Sequence, residues 1–345
     1  MNPSAPNVMR IAAGILLTSV ASLFAQTTAT TDPVGFITLN VAGTGGAAAP
    51  ALSFKGLGLT RAIEYQGSAE TVGANTIVDN DATWTDNQFN GANGAYYLEI
   101  STGSGAGTTY DIQSTAAGTK TITLAQNLAN GVAAPVTFKI RKHWTIASVF
   151  GPTNEAGLLP GDATTADQIL IFNGTGYDIY YYQTGGFGTG WRSGNDAVND
   201  AGPTKIYPDD GLIVKRKGSA NVNVVLLGAV KTGQSSFPIS VGTNVVGNVY
   251  AANMTLQSSG LYTGNTTTGL AGGDATSADQ VLIWNGTGYD IYYYQTGGFG
   301  TGWRSGNDAV NDAGPTPIPV GSSIIVKRKA APAFDWKAPQ HPATL

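Results

Sequence analysis

Apart from its aspartates, this chain offers few acid–base groups: two histidines, His143 and His341, and four glutamates, Glu64, Glu70, Glu99 and Glu155. His143 stands beside Trp144 in a strand-like run, and His341 lies in a proline-rich tail. No Gly-x-Ser-x-Gly elbow accompanies them, so a Ser-His-Asp arrangement is not expected. A glycosidase needs two carboxylates about 5–10 Å apart. Asp178 and Asp290, each directly before Ile-Tyr-Tyr-Tyr, are the candidates, but an aspartate beside an Asn-Gly turn caps that turn. Asp79-Asn80-Asp81 with Asp86, and Asn195-Asp196 with Asn199-Asp200, offer hard oxygen ligands of the calcium type. Neither has EF-hand spacing, and both read as polar loop chemistry. The glycines of Thr184–Gly190 (TGGFGTG) lack a following helix and a Lys-Ser/Thr pair, so they are turn residues rather than a phosphate cradle. The absence of cysteine excludes disulfides, thiol catalysis and Cys-zinc sites. No catalytic residue, metal site or cofactor is assigned, and the chain is read as a non-enzyme.

The aromatic residues carry the strongest binding signal. Tyr180, Tyr182 and Trp191, repeated as Tyr292, Tyr294 and Trp303, are ligand-binding candidates. Aligned on one sheet face, such rings would stack on the apolar C–H faces of sugars. The competing reading is that they pack between sheets, as large apolar side chains with one polar handle do.

These residues belong to a duplicated segment. Asn173–Thr204 returns unchanged at Asn285–Thr316, a shift of 112 residues. Upstream, GDATTADQILIF pairs with GDATSADQVLIW; downstream, GLIVKRK pairs with SIIVKRK. Differences such as Ile169/Val281 and Phe172/Trp284 keep a large apolar group at a buried strand position. Within each copy, QILIFN reads as a buried strand and Asn-Gly as a turn. The Tyr177–Gln183 strand then alternates, with Tyr180 and Tyr182 on one face and Ile179 and Tyr181 on the other. Strand, Asn-Gly turn and aromatic strand in succession indicate hairpins, not βαβ units. The fold class expected is all-β: short antiparallel strands in sandwich- or barrel-like units, with an internal tandem duplication.

Taken in order, residues 1–25 read as a signal peptide, with Arg10 ahead of the apolar run Ile11–Phe24. That run is short for a membrane span, and no later one approaches it. Residues 26–142 form an N-terminal β domain, opening with the strand PVGFITLNVA and including a hairpin around Gly73-Ala74-Asn75. Residues 143–232 are the first repeat unit and 233–330 the second, with Thr145 aligned to Thr255 through a two-residue length difference. Residues 331–345 are an extended C-terminal tail lying against the body or a partner. Net charge is −4, and basic runs are no longer than Lys215-Arg216-Lys217, its copy, and the Lys139–Lys142 stretch. Nucleic acid is therefore not an expected partner.

PVGFITLNV after a signal, TWTDNQF followed by YYLEI, KIRKHWTIASVF, DQILIFNG leading to a Gly-Trp pair, GLIVKRK and a terminal W-x-x-P occur together. In this set the chain resembles a paralogous group of secreted proteins expanded in Verrucomicrobium-like bacteria. The resemblance implies an exported, β-rich protein and no catalysis; the second Gly-Trp-Arg unit departs from the single one expected. Low charge and many glycines and threonines suit a structural protein of the cell surface or extracellular matrix that assembles with copies of itself into fibres or arrays. The alternative is non-catalytic binding of polysaccharide through the repeated Tyr/Trp surface.

Overall fold

The computed structural model describes residues 32–91, 94–186, 188–298, 300–329 and 332–339. The signal peptide expected over 1–25 lies outside the described residues.

The first strands are β1 (Val34–Val41) and β2 (Ala51–Lys55). Next come β3 (Ile63–Ala69), β4 (Thr71–Val72), β5 (Thr76–Val78), β6 (Tyr96–Ile100), β7 (Thr109–Ala116), β8 (Thr121–Leu124) and β9 (Val136–Lys142). These seven form one antiparallel sheet in the order β3-β9-β6-β7-β8-β5-β4. The β4–β5 hairpin turns through Gly73-Ala74-Asn75, as the sequence indicates, with Gly73 N donating to Thr76 O at 2.8 Å.

The first duplicated copy follows as β10 (Trp144–Thr145), the five-residue helix α1 (Ile146–Phe150), β11 (Gln168–Phe172), β12 (Tyr177–Gln183), β13 (Gly190–Ser193), β14 (Lys205–Ile206), β15 (Leu212–Arg216) and β16 (Val222–Ala229). The second comprises β17 (Ser235–Ile239), β18 (Gly242–Gly247), β19 (Met254–Thr255), β20 (Gln280–Trp284), β21 (Tyr289–Gln295), β22 (Gly302–Ser305), β23 (Pro317–Ile318), β24 (Ser323–Arg328) and β25 (Phe334–Ala338). The fold is all-β apart from α1, with antiparallel pairing throughout the sheets.

Pairing shows that the structural repeat is longer than the sequence repeat. One five-stranded sheet runs β13-β12-β11-β15-β2, and the other runs β22-β21-β20-β24-β18. Thus β2 occupies in the first copy the place of β18 in the second. A two-stranded ribbon, β1–β16, covers the first sheet, and β17–β25 covers the second. The first copy therefore begins at β1, and the seven-stranded sheet is inserted between its β2 and β10. β1 and β2, which the sequence reading groups with residues 26–142, hydrogen-bond to strands of the first copy. Part of the expected tail, β25, is an integral strand of the second. Thr145 and Thr255 are equivalent as aligned: each Oγ1 accepts the amide of the serine three residues on, Ser148 at 3.2 Å and Ser258 at 3.1 Å.

Each copy closes a core between its sheet and its ribbon. The first joins Leu39, Val41, Val224 and Leu226 to Ile169, Tyr180, Tyr182, Trp191, Leu212 and Val214. The second joins Phe237, Ile239, Phe334 and Trp336 to Val281, Trp303, Ile324 and Val326. The backs of the two sheets meet in another cluster, Phe54 and Ile213 against Val245, Leu282 and Ile325. This contact has approximate twofold symmetry. Gly56 N donates to Gly321 O at 3.2 Å, and its counterpart Gly247 N donates to Asp209 O at 2.9 Å. A Cβ on Gly56 would stand 2.9 Å from Gly247 Cα, and one on Gly247 would stand 3.0 Å from Gly56 Cα. Only glycine allows the two backbones to approach so closely.

Candidate functional site

The candidate ring residues point inward. Trp191 is 1% and Trp303 4% exposed, Tyr180 and Tyr182 are buried, and Tyr292 and Tyr294 are half-buried against the second core. The period-2 reading placed Tyr180 and Tyr182 together correctly, but that shared face is the one the ribbon covers. Trp191 meets Tyr182 edge-on at 5.2 Å and donates Nε1 to Gly151 O at 2.8 Å. Trp303 meets Tyr294 at 5.7 Å, and Tyr294 stacks on Tyr262. Of the two readings of these rings, the geometry fits packing between layers: the three of the first copy and Trp303 are enclosed, while Tyr292 and Tyr294 keep part of their surface.

The candidate carboxylates are spent on turns. Asp178 Oδ1 accepts Asn173 Nδ2 at 2.9 Å, and Asp290 does the same with Asn285. Asp196 accepts the amides of Val198 and Asn199 at 3.0 and 3.1 Å, with Asp308 identical in the second copy. The carboxylates of Glu70, Asp79 and Asp81 come within 4.8 Å of one another. Asp79 is occupied by the Tyr65 hydroxyl at 2.7 Å and the Asp81 amide at 3.0 Å, and Glu70 accepts the Asn80 amide. Asp86 accepts the Ala117 amide instead. The glycines of Thr184–Gly190 are turn residues, as read: Gly185, Gly186, Gly188 and Gly190 all have positive φ.

His143 joins the inserted sheet to the first copy. Its Nε2 is 2.8 Å from Asp111 Oδ1, and its ring lies between Tyr97 and Tyr207, at centroid distances of 4.7 and 4.9 Å. Lys205 Nζ and the Tyr207 hydroxyl also donate to Asp111, at 2.7 and 3.1 Å. Burial alone would raise the Asp111 carboxyl, but hydrogen bonds and charge from His143 and Lys205 outweigh it and bring it down from 3.8 to about 2. A carboxyl depressed on folding stabilises the protein above its unfolded pKa, and that contribution fades as pH falls from about 4 through about 2. Asp111→Asn is expected to abolish this component of the acid-unfolding profile. An acid titration followed by tryptophan fluorescence checks this; identical profiles for both proteins between about pH 4 and 2 would exclude it.

Sequence reasoning missed two kinds of residue. The first is buried charge. Arg141 pairs with Asp32 and lies 3.5 Å from Glu99, which Lys231 also meets, tying the inserted sheet to the segment entering β1 and to the linker after β16. Asp167–Arg216 and Asp279–Arg328 are enclosed pairs, one per copy. Recurrence of both partners at the same shift within apolar contexts was the available signal.

The second is the outer face of the β1–β16 ribbon. Val34, Phe36, Val225 and Leu227 are 63–73% exposed, and Phe36 lies directly opposite Leu227. The matching inward pairs, Leu39–Val224 with Ile239–Phe334 and Ile37–Leu226 with Phe237–Trp336, align the two ribbons. In that alignment Val225 corresponds to Asp335 and Leu227 to Lys337, both exposed. The second ribbon is dressed for water; the first is not. No charged residue occurs in either β1 or β16. Among the described residues, no strand pairs with the outer edge of β1. Exposed apolar patches of this kind, with an open edge beside them, mark association surfaces.

Comparison of the chain with family models, curated proteins and solved structures gave no match. Among the described residues, no helix is long and apolar enough to cross a membrane.

Proposed function

We propose that this protein is an exported structural subunit of the cell surface or extracellular matrix, working through association with copies of itself. One observation carries the reading: the uncharged, solvent-facing apolar ribbon of β1 and β16, beside an open strand edge. Burying such a face is favourable at roughly 25 cal/mol per Å² of apolar area, and a free edge adds main-chain hydrogen bonds. Four of the six candidate rings are buried and the other two half-buried, which weighs against a carbohydrate platform. Negative-stain electron microscopy of the purified protein and of the native cell surface tests the proposal. Filaments, sheets or arrays are expected; dispersed monomers at every concentration would refute it.

A further inference from the structure

The ribbon also constrains the geometry of that association. We infer that the outer face of β1–β16 docks on the same face of a second copy, giving a closed twofold dimer; the inference rests on the self-association reading above.

Three observations select this occupant. First, the face is chemically self-matching. Its rows run from Val34 through the Phe36–Leu227 and Thr38–Val225 pairs to Asn40–Asn223, where Asn40 Nδ2 donates to Asn223 Oδ1 at 2.9 Å. Neither strand carries a charge. Two copies face to face therefore meet no like-charge repulsion. Nor does the face offer charges to select an oppositely charged partner, or basic groups to hold an anionic membrane.

Second, of the two ribbons among the described residues, only one has such a face. Of the equivalent positions in the second ribbon, Pro238, Asp335 and Lys337 are exposed, two of them ionic, and Ser236, the counterpart of Phe36, is buried. Docking the apolar ribbon there would strip water from Asp335 and Lys337 without partners for them. With one sticky surface per chain, the contact is isologous, and an isologous contact closes rather than propagates. The tandem repeat alone suggests two equivalent surfaces able to run head to tail. Divergence between the ribbons leaves one, so any fibre is built from dimers through a different contact.

Third, this fold already uses that mode of recognition. The two copies within the chain meet through their apolar sheet backs, about a twofold marked by the reciprocal Gly56–Gly321 and Gly247–Asp209 hydrogen bonds.

An eight-residue, two-stranded face is small. The total area buried falls near or below about 1,200 Å², the low end of specific interfaces, so the dimer is reversible.

Sedimentation velocity of the purified full chain across a micromolar concentration series is the test. The expected result is a monomer–dimer equilibrium that Phe36→Asp and Leu227→Asp each weaken at least tenfold, with melting temperatures unchanged because both side chains face solvent. Should either variant fold poorly, Thr38→Lys places a charge at an exposed position of the same face and is expected to have the same effect. A wild-type protein that stays monomeric throughout, or a dimer indifferent to all three substitutions, overturns the inference. Sedimentation of the monomeric protein with neutral phospholipid vesicles, lost in Phe36→Asp, overturns it in favour of a lipid surface. Micrographs of the same samples keep the broader reading separate. Arrays formed equally by wild type and Phe36→Asp would leave self-association standing and remove the ribbon from it. A ribbon-dependent dimer without arrays would support the docking mode and refute the fibre role.

Discussion

Asp279→Ala is expected to destabilise the second copy by about 3–5 kcal/mol, because it strands a buried guanidinium. Asp279 and Arg328 are both 1% exposed. The carboxylate accepts the Ala271 and Lys329 amides, each at 2.7 Å, as well as Arg328. Arg328 in turn holds the segment leading into β25 and the loop before β20, donating from Nη2 to Pro332 O at 2.9 Å and to Thr266 O at 2.6 Å. Its guanidinium sits 5.1 Å from the Phe334 ring. Removing the carboxylate leaves an uncompensated charge and two orphaned amides, and loosens the lead into β25. Replacing both partners with well-packed apolar residues, as in Asp279→Leu with Arg328→Met, is expected to recover much of the loss, since the penalty lies in the unpaired charge. Guanidinium chloride unfolding measures both. A single-variant loss below about 1 kcal/mol would show the pair to be dispensable. Asp167→Ala, against Arg216, is the internal control in the first copy.

Trp303→Ala is expected to cost about 3–5 kcal/mol by emptying the centre of the second core. Trp191→Ala should cost at least as much, since it also leaves the Gly151 carbonyl without its 2.8 Å indole partner. These substitutions separate packing from carbohydrate binding. A surface platform would give folded proteins of unchanged stability that lose retention on insoluble polysaccharide. Core residues give proteins whose unfolding midpoints fall sharply. Unchanged midpoints in both variants would revive the platform.

Much of the local structure was legible in the residues. The all-β class, the β4–β5 hairpin, the Asn173-Gly174 turn and the Thr145/Thr255 equivalence all rest on interactions within a few positions along the chain. Asp178 and Asp196 were readable as turn acceptors for the same reason. The insertion was harder to see. β1 and β2 lie far in sequence from their partners β16 and β15, and β1, β2 and β16 have diverged from their counterparts β17, β18 and β25. The Asp167–Arg216 and Asp279–Arg328 pairs recur with the repeat, yet their partners are 49 residues apart, and a basic strand end reads as a surface feature.

Residue order alone dictates which side chains share a face: Tyr180 with Tyr182, Val34 with Phe36, Val225 with Leu227. Strand geometry enforces that with a period of two, whatever the rest of the chain does. Which of those faces is covered depends on long-range packing. VGFITLNV carries large apolar side chains on both faces, yet β1 lies in an outer ribbon with a core beneath it and nothing described above it. The aromatic strands β12 and β21 admit display or packing between sheets, and each lies under such a ribbon. Burial is set by what packs across a sheet, and the ribbons that do so here come from opposite ends of each copy, beyond the reach of any local pattern.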